Sequence, residues 1–170
     1  MSWFDRVRAL LALGAVVALG GCFQPLYGVA SHPGLVEAMR EVEVTPIPDR
    51  IGHYLADDLI SKMNGSGATP TPKYRLTIKM TQTTNTPTIE SQTALADAAT
   101  VIGTAKFDLI KIEGEAPIYG GTATGTAVYD RTLMSFADMR ASRDAEIRVA
   151  RTLADEIEVR VAAALGQVVK

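Results

Sequence analysis

The order of apolar and polar positions divides the chain into a leader, a linker and a folded body. Ala9 to Leu19 is apolar apart from Gly14, follows Arg6 and Arg8 with one opposing Asp5, and runs into Gly20-Gly21, the order of charged, apolar and small-residue regions of an export signal. This run of about 11 residues is too short for a helix across a ~30 Å hydrocarbon core, which needs ~20 residues. Residues 1–21 therefore read as a leader. Phe23 to Pro33 has two prolines, a glycine and no periodicity, and residues 22–38 are expected to form a flexible tether.

From residue 39 the pattern becomes regular. Met39 to Pro46 alternates around Val42 and Val44, with Glu41, Glu43 and Thr45 opposite, which predicts a short strand stopped by Pro46 and Pro48. Asp49 stands as a cap before Ile51, Tyr54, Leu55, Leu59, Ile60 and Met63, whose spacing of mostly three and four predicts a helix over about 50–63 with Asn64-Gly65 as its stop. A breaker-rich GSGATPTP stretch leads to Lys73–Thr81, where Tyr74, Leu76, Ile78 and Met80 face one way and Lys73, Arg75, Thr77 and Lys79 the other.

Residues 83–98 are mostly polar and read as a turn or frayed strand ends. Ala99–Ile112 and Ile118–Asp130 alternate again on either side of Glu113-Gly-Glu-Ala-Pro117, which predicts an antiparallel hairpin. The last segment reads as a long helix, starting at Ser135 (with Asp138 as a capping box) or at Ser142, carrying the stripe Ala150, Leu153, Ala154, Ile157, Val161 and Ala164, and ending at Gly166. The resulting order β-α-β-β-β-α gives an α+β fold: two helices packed on one face of a mostly antiparallel four-stranded sheet, in a single domain over 39–170.

Composition sharpens this division. Mean hydropathy is +0.12 and 47% of the 170 residues are apolar, but 14 of those apolar residues lie in the first 21 positions, so the body is mildly hydrophilic. Lys plus Arg number 17 against 19 Asp plus Glu, which supplies no counterion-release drive toward nucleic acid. One cysteine excludes an internal disulfide, and with two histidines it excludes a Cys/His zinc site. Thirteen threonines between Lys73 and Thr132 suit the polar face of a sheet open on one side.

Candidate chemistry is sparse. His53 and Asp57 lie i,i+4 beside Asp58, but no third ligand is evident, so they read as a solvated helix side. Gly120-Gly-Thr-Ala-Thr-Gly125 superficially resembles a phosphate loop, yet it sits inside a strand and lacks the lysine. Neither a G-x-S-x-G nor an H-E-x-x-H motif exists, and the chain predicts no catalytic residue, no metal ligand and no enzyme activity. The anion-contact candidates are Lys73, Arg75, Lys79 and Lys106 on outward strand faces and Arg140 and Arg143 near the start of the last helix, where the dipole disfavours cations. The competing reading is ordinary surface charge, neutralised locally by Asp108, Asp138 and Asp144.

Leu19-Gly20-Gly21-Cys22 resembles the bacterial lipoprotein signal, in which the cysteine takes up acyl chains such as palmitate and the leader is cut before it. Several acyl chains on one residue hold it stably on a membrane, since each buried CH₂ contributes about 0.8 kcal/mol. A covalent lipid on Cys22 is then the expected non-protein group, with no other cofactor. Phe23, in place of the Asp that resembles an inner-membrane retention signal, favours the outer membrane.

Cys22-Phe-Gln-Pro-Leu-Tyr-Gly28, together with the Arg/Ala-rich closing segment Arg143–Arg160, resembles the alphaproteobacterial form of the LPS-assembly lipoprotein (LptE) family. Many members place Gly between the cysteine and the aromatic, whereas Phe23 follows Cys22 directly here. The resemblance implies a non-enzymatic, lipid-anchored plug on the periplasmic side of the outer membrane. Its partners would be the β-barrel LptD and lipopolysaccharide, and Arg140 would be the position most compatible with the family's basic site. A periplasmic auxiliary lipoprotein of an ABC-type transport system is the alternative expectation.

Overall fold

The computed structural model describes residues 33–65, 71–86 and 98–169. The leader, Cys22 and the tether up to residue 32 lie outside the described residues. The chain divides at Val36/Glu37 into two units, and everything from β1 onward belongs to the larger, Glu37–Lys170.

The element order is α1 (Pro33–Arg40), β1 (Val42–Val44), α2 (Arg50–Asn64), β2 (Tyr74–Asn85), β3 (Ala98–Lys111), a 3-10 turn (Glu113–Glu115), β4 (Ala116–Asp130) and α3 (Ser135–Val168). The strands form one sheet in the order β1-β2-β3-β4, with β1 parallel to β2 and the two longer pairs antiparallel. This is the expected α+β arrangement. Alternation puts Tyr74, Leu76, Ile78, Val101, Ala105, Phe107, Leu109, Ala123 and Ala127 on the buried face. Over that face lie Leu55 and Leu59 of α2 and Val149, Leu153, Ile157, Val161 and Leu165 of α3, all fully buried.

The helix–sheet contact is closest where two glycines face each other. Gly103 and Gly125 are register partners on β3 and β4. A Cβ on Gly103 would stand 2.6 Å from Cγ1 of Val149, and one on Gly125 would stand 3.1 Å from the Val149 carbonyl oxygen. At Gly103 the space is taken by the Val149, Met80 and Leu153 side chains, and at Gly125 the α3 backbone itself comes close.

Several boundaries differ from the sequence reading. Residues 33–38 of the expected tether belong to α1: Pro33 takes the first helical position, where its missing N–H costs nothing, and Leu35, Ala38 and Met39 recur at helical spacing and are buried. Met39 and Arg40 consequently end a helix, and β1 starts at Val42. Asp49 precedes α2 with φ 69° and makes no side-chain cap, although its carbonyl accepts the His53 N–H at 3.1 Å. Gly65 ends α2 at φ 65°, as Asn64-Gly65 predicts.

β2 continues to Asn85, four residues past its expected end. α3 begins at Ser135, but without a capping box: Asp138 turns back to accept the Thr132 N–H at 3.3 Å. The helix also passes through Gly166 to Val168, because buried Leu165 holds its last turn and Gly166 needs no left-handed conformation there.

Candidate interaction surfaces

The sheet face away from the helices carries Thr77, Thr81 and Thr83 of β2, Thr100 and Thr104 of β3, and Thr122, Thr124 and Thr126 of β4, in rows set by the register. Four of the six candidate cations share this face and separate into two pairs. Lys73 Nζ is 2.7 Å from Glu41 and Arg75 Nε is 3.1 Å from Glu43, so both are engaged by carboxylates on the β1 side. The hydrogen bond that Lys73 donates to the Glu41 carboxylate raises its amine above the ordinary value. Lys79 and Lys106, by contrast, are direct register partners, both exposed, with no ion pair to either among the described residues. Like charges directly opposite in a sheet repel, so this is where an incoming anion gains most.

Arg140 and Arg143 lie elsewhere, at the start of α3. The Arg140 guanidinium sits 6.0 Å above the Phe136 ring. Around it Leu133, Met134, Phe136 and Met139 are exposed at 81, 72, 71 and 49%. This tip extends beyond the sheet: Arg148 is level with Val128, so Ser135 lies ~20 Å further along the helix while β4 continues for only ~7 Å. The Arg143 Nε is buried without a hydrogen-bond partner among the described residues. Asp138 and Asp144, expected as local neutralisers, pair instead with Arg131 at 3.9 Å and Arg148 at 2.9 Å. The six cations therefore form no single site. The exposed apolar tip escaped the sequence reading, although Leu133, Met134, Phe136 and Met139 cluster just outside the predicted stripe.

A third feature is a cleft of about 250 Å³ bounded by Pro48, Asp49, Arg50, Ile51, Met80, Gln82 and Glu146. Glu146 is the buried charged residue of α3, gripped by Arg50 through Nε at 2.9 Å and Nη2 at 2.8 Å, with Gln82 Nε2 at 3.4 Å. This fork-on-carboxylate geometry raises the Arg50 guanidinium further above its ordinary value. With Glu146 already engaged on both oxygens, the pair acts as a clamp between α2 and α3. His53 and Asp57 form an exposed pair at 3.4 Å, and among the described residues no group of three or more His, Cys, Asp or Glu side chains is placed to hold a metal.

The outer edge of β4 is covered by α3. Arg148 donates to the Val128 carbonyl at 2.9 Å, Arg160 donates to the Thr122 carbonyl at 2.8 Å, and Glu156 accepts the Thr124 N–H at 3.3 Å. Asp144 orients Arg148, and Glu156 orients Arg160. These side chains satisfy groups that would otherwise template another strand.

The class defined by this architecture appears among solved structures. The chain shares its fold with a Caulobacter crescentus CB15 protein described as a lipoprotein, at a TM-score of 0.65 and 18% identity, over 80% of this chain and 98% of that one. It is similar to rare lipoprotein B from Shewanella oneidensis (TM-score 0.55, 11% identity, 75% and 96% covered) and to a minor lipoprotein from Acinetobacter baumannii (0.53, 16%, 73% and 92%). No family model and no curated protein matches the sequence. The fold is thus one used by bacterial lipoproteins. Among the described residues no helix is long and apolar enough to cross a membrane.

Proposed function

We propose that this chain is a lipid-anchored outer-membrane protein of the lipopolysaccharide-export machinery, seated in the LptD β-barrel and assisting delivery of lipopolysaccharide to the outer leaflet. The observation that carries the reading is the tip of α3, where exposed Leu133, Met134, Phe136 and Met139 surround an arginine with no ion pair among the described residues. Lipopolysaccharide presents phosphates beside acyl chains, and an arginine among apolar side chains matches both. The lipoprotein-type signal at Leu19–Cys22, the Cys22–Gly28 motif and the shared fold support the anchor. The threonine-lined sheet face supports contact with a hydrated barrel lumen.

Lys79 and Lys106 form a second anion-contact candidate in this reading, whereas Lys73 and Arg75 are already engaged. Catalysis has no part in it. Depletion of the protein followed by measurement of surface lipopolysaccharide tests the reading: surface lipopolysaccharide falls and periplasmic intermediates accumulate. Normal surface levels after depletion would overturn it.

A further inference from the structure

The two edges of the sheet are treated differently. Charged side chains of α3 cover the β4 edge between Thr122 and Val128, but among the described residues β2 has a neighbour on its outer side only as far as Leu76. Tyr74 donates its N–H to Glu41 and Leu76 accepts from the Thr45 N–H at 3.0 Å, so the backbone groups of these even-numbered residues point toward β1. Alternation then directs the N–H and C=O of Ile78, Met80, Gln82 and Thr84 to the same edge. Among the described residues no strand lies there.

β1 shows what this edge accepts. Its side supplies one carboxylate for each basic residue of β2: Glu41 for Lys73 and Glu43 for Arg75. The next cation is Lys79, and its rung would fall at Ile47, but Pro46 and Pro48 take the chain out of the sheet before that point. Lys79 is left opposite Lys106 with no acid in its own rung; Asp108 stands one same-face rung away, opposite Thr77, and makes no ion pair with either lysine among the described residues. Two adjacent lysines also oppose pairing with a second copy of β2, which would add further lysine to the same face. On the buried side, the cleft formed by Arg50, Ile51, Met80 and Gln82 opens beside this edge and has room for one side chain.

We propose that the Ile78–Thr84 edge receives an extended acidic segment of a partner protein as a fifth strand. A carboxylate stands opposite Lys79, and a neighbouring side chain of the incoming strand enters the cleft beside Met80 and Gln82. Main-chain hydrogen bonds supply affinity, and the carboxylate and the cleft supply register. The inference does not depend on the lipopolysaccharide reading.

The test uses the full mature chain and the synthetic peptide Thr-Val-Glu-Val-Glu-Val-Thr, read by amide hydrogen exchange. The expected result is slowed exchange at Ile78, Met80, Gln82 and Thr84, with Thr122–Val128 unchanged. Lys79→Glu weakens binding by about fivefold to tenfold, and a peptide with Lys for Glu restores it to that variant. Thr84→Pro removes a free-edge N–H while sparing the bonds to β3, and also weakens binding. Absence of protection, or equal binding of the acidic peptide by Lys79→Glu, overturns the proposal. So does sedimentation as a dimer that Thr84→Pro abolishes, which would make a second copy the occupant.

Discussion

Adding one methyl group at Gly103 probes the packing on which the whole architecture rests. In Gly103→Ala the new Cβ lies 2.6 Å from Val149 Cγ1, 3.1 Å from the Met80 methyl and 3.3 Å from a Leu153 methyl. Val149 and Leu153 are fully buried, and a β-branched valine in a helix has one strongly favoured rotamer, so the side chain cannot swing aside. Overpacking of this kind costs roughly 1–3 kcal/mol, against which alanine returns about 0.4–1 kcal/mol through the unfolded chain. The expected net loss is about 1–2 kcal/mol.

Val149→Ala alone leaves a cavity costing roughly 2 kcal/mol, but it removes the very atom that Gly103→Ala strikes. The double variant should therefore be more stable than the sum of its parts by about 1–2 kcal/mol. Gly125→Ala is the control. There the nearest atom is the Val149 carbonyl oxygen at 3.1 Å, which truncating the side chain leaves in place, so Val149→Ala gives little relief. Urea unfolding followed by far-ultraviolet circular dichroism measures all of these. Additivity of Gly103→Ala with Val149→Ala would show that the new methyl does not strike Val149.

Arg50→Ala leaves the buried Glu146 carboxylate with Gln82 as its side-chain partner among the described residues; because Arg50 is itself 55% exposed and water can follow, the expected loss is about 2 kcal/mol, not the full value of a deeply buried pair, read from the urea midpoint. Lys62 bonds Asp155 at 2.6 Å, and this bond holds its amine above the ordinary 10.5. A base raised on folding stabilises fully below its unfolded value and loses that contribution as pH climbs through the folded one, so wild type should lose more stability than Lys62→Gln above about pH 10.5 and keep a constant difference between pH 7 and 9. Arg148→Ala with Arg160→Ala uncovers the Val128 and Thr122 carbonyls on the β4 edge, and thioflavin kinetics at fixed concentration should show faster aggregation.

Period and punctuation made much of the fold legible. Alternation at Tyr74–Met80 and across the two later strands, helical spacing in α2, and the Gly65 stop all correspond to observed elements. Boundaries failed where tertiary contact outweighed local signal. α1 was hidden because Pro33 reads equally as linker and as a first helical residue, and β2 outran its apolar pattern because β3 pairs with it up to Asn85. Lys73, Arg75, Lys79 and Lys106 do lie on outward strand positions, but pairing between strands distant in sequence decides their neighbours. Only the parallel register of β1 on β2 reveals that Glu41 and Glu43 occupy Lys73 and Arg75, and only the β2–β3 register brings Lys79 to Lys106.

Purification of the full-length protein from detergent-solubilised membranes, with its partners identified by mass spectrometry, decides whether it works in a β-barrel. A large outer-membrane β-barrel should be recovered in fixed proportion, and less of it when Cys22 is replaced by Ser. Recovery with an inner-membrane ATPase complex and no barrel would contradict it.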